Sequence, residues 1–379
     1  MQHYHYIFTG SGLAALMTVE QLLQNEYFRD HQILLLDADA KKNNDRTWCF
    51  WDEHHHYDKL THRSWKKALF ADEHYSRTFD LAPYTYKMVR GIDFYEEIFS
   101  KIEQHPNVHF LQEAVVDFQE MGAHCIVKTQ NQSFSCNSIF NSIFRPEIIW
   151  EQNKYPLVQQ HFVGWRVRTE KPIFTADCVT FMDFSVEQKN NTRFMYVLPM
   201  SENEALVEYT LFSPDLLPKE AYEAEIKAYL EKREAGTYEI LETEQGNIPM
   251  TCYRFWKHNS KHILHIGSAG GWTKASTGYT FKNTIKKSNA LVQFLRTQND
   301  MRKFHQKNRF WFYDLLLIDL LYHKNQIGSR IFGQMFRRGK VETIFKFLDE
   351  ESSLTEDLNI ILRCPKRWFV LALVHRIFK

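Results

Sequence analysis

The sequence predicts an α/β protein with a parallel sheet at the N-terminus, an antiparallel sheet in the middle and a helical C-terminal region. Three observations predict this. Near the start, the strand-sized run Tyr6-Ile7-Phe8 breaks at Thr9-Gly10-Ser11-Gly12 and passes into a helix-compatible stretch at 13–24. It is followed by Ile33-Leu34-Leu35-Leu36, a buried-strand signal closed by Asp37; strand, glycine turn, helix, strand and acid in that order open a parallel βαβ unit. Second, residues 162–212 hold short apolar runs separated at Asn190-Asn191 and Ser201-Glu202-Asn203, breaks that suit hairpins. Third, two apolar stretches of helical character, 311–321 and 368–374, lie near the C-terminal end.

Composition excludes several alternatives. The 379 residues are 44% apolar and 25% charged, a balance that supports a buried core. With 47 basic and 46 acidic side chains there is no overall field to collect nucleic acid. Cys49, Cys125, Cys136, Cys178, Cys252 and Cys364 form no C-x-x-C pair and read as reduced thiols in a cytosolic setting. Met1 to Tyr6 is polar and is not expected to be a targeting segment. The tract His54-His55-His56 resembles a metal ligand set, but adjacent residues of an extended chain point different ways, so no metal is expected. No G-x-S-x-G elbow is present to support a hydrolase. What composition leaves without a use is the aromatic surplus of 30 Phe, 18 Tyr and 9 Trp.

Further along, residues 41–80 read as irregular, polar and dotted with tryptophan, and 108–145 as short strands. Strands are predicted at 162–165, 178–184, 193–198 and 205–212, and a helix at 219–234 after Pro218. A strand at 263–266 runs into Gly267-Ser268-Ala269-Gly270-Gly271, and a helix is predicted from Thr277 or Gly278 to Leu295. Residues 296–379 then hold 16 basic and 9 acidic side chains, against 31 and 37 before them. No segment has the continuous apolar length needed to span a bilayer. Trp311 and Trp368, in the two late apolar stretches, together with Arg337, Arg338 and Lys340, suit either packed helices or monotopic contact with lipid headgroups.

The strongest chemical signal is Gly10-x-Gly12-x-x-Ala15, the Rossmann-type dinucleotide turn. Gly10 permits the tight turn, Gly12 lets a pyrophosphate approach the backbone, and Ala15 lets the helix sit close to the sheet. Asp37 ends the next strand, where a ribose hydroxyl would meet it, and an acid there favours FAD or NAD over NADP. The second glycine cluster, with Gly267 and Gly270, favours FAD, because a late loop can return beside a flavin after a substrate domain. Gly278 is placed to open a helix N-terminus towards the ring or phosphate.

These residues resemble the FAD-dependent bacterial lycopene beta-cyclases over nearly the whole chain. The marks are Gly10-Ser11-Gly12-Leu13-Ala14, Arg46-Thr47-Trp48-Cys49-Phe50, Phe181-Met182-Asp183 and Phe194-Met195-Tyr196-Val197-Leu198-Pro199. They continue with Val207-Glu208-Tyr209-Thr210, Glu244-Gln245-Gly246-Asn247-Ile248-Pro249-Met250 and Ser276-Thr277-Gly278-Tyr279. The pattern departs where relatives carry an Asp-Gly pair, here Asn141-Ser142. It departs also where they carry His, here Arg46, and where they carry Pro before Thr-Gly-Tyr, here Ala275-Ser276.

The resemblance implies a Rossmann-type FAD-binding fold of the aromatic-hydroxylase-like flavoprotein kind, an antiparallel-sheet substrate domain and a helical C-terminal region. The boundaries it suggests place the FAD-binding domain at 1–80, continuing with a strand insertion at 81–160 and ending at 256–299. The substrate-binding domain is 161–255, and the helical region with membrane contact is 300–379. It implies cyclisation of the psi end groups of lycopene, or related acyclic carotenoids, to beta-ionone rings. The reaction is redox-neutral but needs reduced FAD, with NAD(P)H as the source of electrons. A peripheral place on the cytoplasmic side of a membrane follows from the substrate. Glu208 matches the catalytic glutamate; alternation places it on the face of Leu206 and Thr210, opposite Val207 and Tyr209. An acid kept neutral by apolar surroundings can protonate an alkene. Asp183 is the second catalytic candidate, tuning Glu208, assisting proton return or capping a turn. Arg46 and Trp48 are expected near the flavin or cavity. Two other functions remain open on the same scaffold: a flavin-dependent monooxygenase or other redox flavoenzyme, and a non-catalytic prenyl or polyene carrier.

Overall fold

The computed structural model describes residues 1–377. In chain order, β1 (His3–Thr9), α1 (Leu13–Leu23), β2 (Ile33–Asp37), β3 (Thr47–Asp52), β4 (Thr61–Trp65), β5 (Lys67–Asp72), β6 (Tyr75–Asp80) and β7 (Thr85–Arg90) precede α2 (Gly91–Ile102). There follow β8 (Val108–Gln112), β9 (Val115–Met121), β10 (His124–Thr129), β11 (Ser133–Asn141), the short α3 (Glu147–Trp150), β12 (Val158–Thr169), β13 (Cys178–Asp183), β14 (Thr192–Pro199) and β15 (Glu204–Ser213). The last part comprises α4 (Lys219–Lys232), β16 (Tyr238–Met250), β17 (Ile263–His265), α5 (Phe281–Leu295), α6 (Arg309–His323), α7 (Gly328–Arg338), α8 (Val341–Leu348), α9 (Leu354–Arg363) and α10 (Lys366–Ile377).

The first sheet runs β8-β2-β1-β11-β10-β9, with β17 also on β11. Its β8, β2, β1, β11 and β17 are mutually parallel, whereas β10 and β9 are antiparallel. β11 divides one edge between two partners: residues 133–136 pair β10 and 139–141 pair β17. That division lets the chain return at residue 263 beside a strand made more than a hundred residues earlier. β2 is apolar at four consecutive positions because both faces of a parallel sheet are covered. On one of those faces α1, with nine of its side chains buried, packs against α5.

The second sheet runs β16-β12-β15-β14-β13-β5-β6 and is antiparallel except between β13 and β5. Val207, Tyr209 and Leu211 of β15 face α4, where Tyr222, Ile226, Tyr229 and Leu230 complete a core. The other face looks towards α7 and α8. A small third sheet, β3-β7-β4, joins the two larger ones.

Two expectations change and one open choice is resolved. Residues 41–80 are not irregular: they contain β3, β4, β5 and β6, in which Trp51 and Trp65 are core residues and Trp48 is half-buried on the cavity wall. The late helix begins at Phe281 rather than at Thr277 or Gly278, because Lys274 to Gly278 first closes a turn through its backbone. The stretch 311–321 is internal: within α6, Asp314, Leu315, Ile318, Asp319, Leu320 and Leu321 are buried.

Aromatic contacts bind the late helices to the sheets. Trp51 stacks on Phe345 at 4.3 Å, Phe70 on Phe336 at 4.8 Å and Phe184 on Phe332 at 6.0 Å. At about 0.5–1.5 kcal/mol per pair beyond area burial, these contacts make α7 and α8 part of the core.

Candidate functional site

One cavity of about 780 Å³ connects the N-terminal glycine turn with β15. One end is polar and lies between Gly12, Lys41, Asn44, Arg46, Ser142 and Ser268. The other is aromatic and apolar, walled by residues such as Phe162, Phe181, Phe194, Phe212, Phe336 and Phe345. Part of the aromatic surplus therefore lines this slot while also packing in the core behind it.

At the polar end, β1 is followed by Gly10, whose φ of +92° makes the turn and whose N–H donates to the Leu36 carbonyl at 2.7 Å. Gly12 has open space where a side chain would stand. α1 and α5 both begin beside the cavity with no side-chain cap and no acidic residue in the first turn, so their N–H groups remain available to an anion. Ala15 is fully buried at the helix–sheet contact. The late loop returns as expected: a side chain on Gly267 would stand 3.1 Å from the Ala14 Cβ. Gly278 also lines the cavity, and Arg46 sits exposed at its margin.

Asp37 and Gly270 stand behind this surface. The Asp37 carboxylate accepts from the Ser11 N–H at 2.6 Å and the Ser11 hydroxyl at 2.9 Å, bracing the glycine turn from the next strand. Gly270 faces a smaller space near Trp256 and His305. Asn141, the departure from an acidic pair, accepts from the Thr9 hydroxyl at 2.7 Å and bonds the His265 ring at 2.9 Å. Its amide thus ties β1, β11 and β17 together below the turn.

At the apolar end the alternation of β15 sends Leu206, Glu208, Thr210 and Phe212 into the cavity. Glu208 is 8% exposed. Burial pushes its carboxyl well above the ordinary carboxylate range, and the hydrogen bond and negative charge of Glu244 push it further. Across the sheet, Glu208 is opposite Tyr196 on β14 and Gly164 on β12, and Gly164 is opposite Glu244 on β16. A hydroxyl cluster stands beside this rung: Tyr86 is 2.7 Å from the Tyr196 oxygen and 3.0 Å from that of Tyr279. Burial raises the pKa of all three phenols and of the nearby Cys49 thiol, so the surroundings of Glu208 stay neutral.

Asp183 does not join Glu208. Its carboxylate accepts from Tyr229 at 3.0 Å, Arg233 at 3.2 Å and the Ser185 N–H at 3.0 Å, on the α4 side of the sheet. The irregular pairing of β13 with β14 around this residue turns it away from the cavity. The second carboxyl of the site is Glu244, for which the sequence alone supplied no chemical signal. Among the described residues, no three His, Cys, Asp or Glu side chains converge as metal ligands.

The family model described as "Lycopene cyclase protein" matches residues 6–373. The chain belongs to that family. It is 24% identical over 299 residues to the lycopene beta-cyclase of Pantoea ananas, covering 73% of this chain and 71% of that one. Among solved structures it is similar to a flavin-dependent brominase, with a TM-score of 0.61, 13% identity and coverage of 92% and 94%. It is also similar to a geranylgeranyl bacteriochlorophyll reductase-like protein from Thermoplasma acidophilum, with a TM-score of 0.59, 10% identity and coverage of 97% and 98%. Family and fold are those of FAD-dependent enzymes, and the α/β flavoprotein architecture has a mixed sheet and a helical C-terminal region. This member of the lycopene cyclase family has features that fit FAD: a side-chain-free Gly12, two uncapped helix N-termini and a long polar slot opening on an apolar one.

Proposed function

We propose that this lycopene cyclase family member is a lycopene beta-cyclase, closing the psi end groups of lycopene to give gamma-carotene and then beta-carotene. The observation that carries this reading is Glu208: a carboxyl held in its acid form inside an aromatic-walled cavity next to a nucleotide-type turn. The apolar wall accepts a polyene end and excludes water. Glu208 donates its proton to the terminal double bond, the next alkene closes the ring on the cation, and loss of a neighbouring proton leaves the ring double bond. Aromatic faces and neutral phenols around Glu208 lower the energy of the cation without trapping it. Gly12, Gly267, Gly278 and the N-termini of α1 and α5 would hold FAD, and Arg46 would stand at its margin. When bound and reduced, FAD would supply electron density to the developing positive charge, with NAD(P)H the proposed ultimate reductant.

A second reading is a flavin-dependent monooxygenase or other redox flavoenzyme acting on a polyene or isoprenoid. The fold favours it, since the solved relatives by structure include a brominase and a reductase-like protein. A chemically protonated Glu208 has no evident task in that reaction. Protein loaded with reduced FAD and given lycopene in liposomes separates the readings. Cyclisation yields a shorter-wavelength product of unchanged mass, oxygenation a heavier one, and a carrier returns lycopene intact. Glu208→Gln should abolish cyclisation while flavin absorbance is retained.

We propose further that the protein meets its substrate at a lipid surface on the cytoplasmic side. Among the described residues, no helix is long and apolar enough to cross a membrane. Exposed apolar side chains instead gather on α9 and α10: Leu354, Leu358 and Leu362, then Val370, Leu371 and Val374. Exposed Lys366 and Arg367 lie beside them, as a monotopic contact with anionic headgroups needs.

A further inference from the structure

Glu208 and Glu244 belong to strands that are not neighbours. β12 lies between β15 and β16, which places their backbones about 10 Å apart at ordinary strand spacing. The rung that contains both carboxyls has glycine in its middle. A side chain at Gly164 would stand 2.8 Å from the Glu208 Cγ and 3.2 Å from the Glu244 Cγ, so both side chains lean over bare backbone towards each other. From there Glu244 acts on the Glu208 carboxyl, adding to the rise that burial causes. The two ends of the pair differ in access: Glu208 is sealed in the cavity, whereas Glu244 is half-buried on the edge strand.

The other titratable groups facing Glu208 are Cys49 from β3, Tyr196 from β14 and Tyr279 from the turn before α5, with Tyr86 of β7 behind them. All are neutral by virtue of burial. The cations that line the cavity, Lys41 and Arg46, lie at its polar end. Arg166, two residues along β12 on the Gly164 face, is engaged by Glu204 at 2.6 Å and Glu242 at 3.0 Å. Two carboxyls leaning over one glycine with that cation committed elsewhere cannot both ionise cheaply, so one proton serves the pair.

We propose that Glu208 and Glu244 form a one-proton carboxyl dyad, in which Glu244 is a positioning residue that keeps Glu208 in its acid form between turnovers. The chemistry rests on the cyclase reading, whereas the shared proton is a property of the resting protein. In turnover, the Glu208 proton forms a C–H bond with the alkene, whose electron pair is consumed. The next alkene's pair forms the ring C–C bond, and a C–H pair beside the cation becomes the ring double bond as its proton returns to the dyad. One proton leaves and one arrives, and no electron is gained or lost.

Infrared titration of the full-length resting protein reads the dyad directly, through the carbonyl band of a protonated carboxylic acid. The wild type should keep such a band above the ordinary carboxyl range, and Glu208→Gln should lose it. Glu244→Gln should lower its midpoint by about one pH unit or more. With lycopene in liposomes, the alkaline limb of kcat should move by the same amount while KM stays within about two-fold, since Glu244 acts on the acid and not on polyene binding. Glu244→Asp, which retains the charge, should return the midpoint towards that of the wild type. A Glu244→Gln midpoint and alkaline limb equal to those of the wild type, or an Asp variant no different from Gln, would overturn the dyad. If the infrared shifts occur but wild-type protein returns lycopene uncyclised, the cyclase reading fails and the dyad stands.

Discussion

At the scale of single residues, the protonation of Glu208 has two consequences. On the proposed cyclase reading, its raised pKa should make the activity an acid-side one, lost as pH rises through the folded value; a kcat–pH profile checks this. Glu208→Gln should reduce kcat by at least about a hundred-fold, the usual scale of a general acid. Stability follows the same sign. The folded chain keeps a proton that the unfolded chain releases above the ordinary carboxyl range, so the native state loses stability as pH rises from there through the raised value. Urea titrations should therefore show Glu208→Gln gaining on wild type towards alkaline pH. Glu208 was legible through its match to the family glutamate, with period-two alternation grouping it with Leu206 and Thr210. Glu244 was not, because its partner depends on register across β12, which no local pattern encodes. Of the roles open to Asp183, the structure favours the turn: its carboxylate accepts from the Ser185 N–H and is held by Tyr229 and Arg233, away from Glu208.

At the scale of elements, apolarity alone did not separate α6 from α10. Both are apolar runs with basic neighbours, yet α6 is wrapped by the sheet and later helices, whereas α10 leaves Val370, Leu371 and Val374 exposed. The i, i+4, i+8 row Leu354, Leu358 and Leu362 on α9 was hidden among charged residues and shows as a stripe only once the helix is built. Leu358→Ser together with Val370→Ser should weaken liposome flotation about ten-fold or more, from the apolar transfer lost. The melting temperature should hardly move, since neither side chain supports the core. Equal flotation of the folded variant and wild type would remove this stripe as the contact surface. The strands at 47–80 were hard to read because each is short and carries charged residues on its open face, leaving no run long enough to signal.

At the scale of the whole molecule, buried ion pairs tie the late helices to one another and to the turn before α5. Lys274, nearly inaccessible, donates to Asp314 of α6 at 2.9 Å and to Glu350 after α8 at 3.1 Å. Arg376 of α10 reaches Asp319 of α6 at 2.6 Å. Lys274→Met leaves the buried Asp314 without its cation and should cost about 3–5 kcal/mol in urea unfolding. The loss should shrink at acidic pH, where Asp314, already raised by burial, takes up a proton instead. The α/β plan and the nucleotide turn were legible because glycine spacing and apolar runs are local. The joining of two sheets around one slot was not, because it is made by contacts between residues hundreds of positions apart.

The approach of Gly267 to Ala14 has a temporal meaning. The slot for the cofactor is begun by the first strand but closed by a loop and helix from the last third of the chain, so its completion waits on a long chain closure. Flavin uptake during refolding should therefore lag behind the recovery of secondary structure, and a bound, quenched flavin would report that the two ends of the chain have found each other.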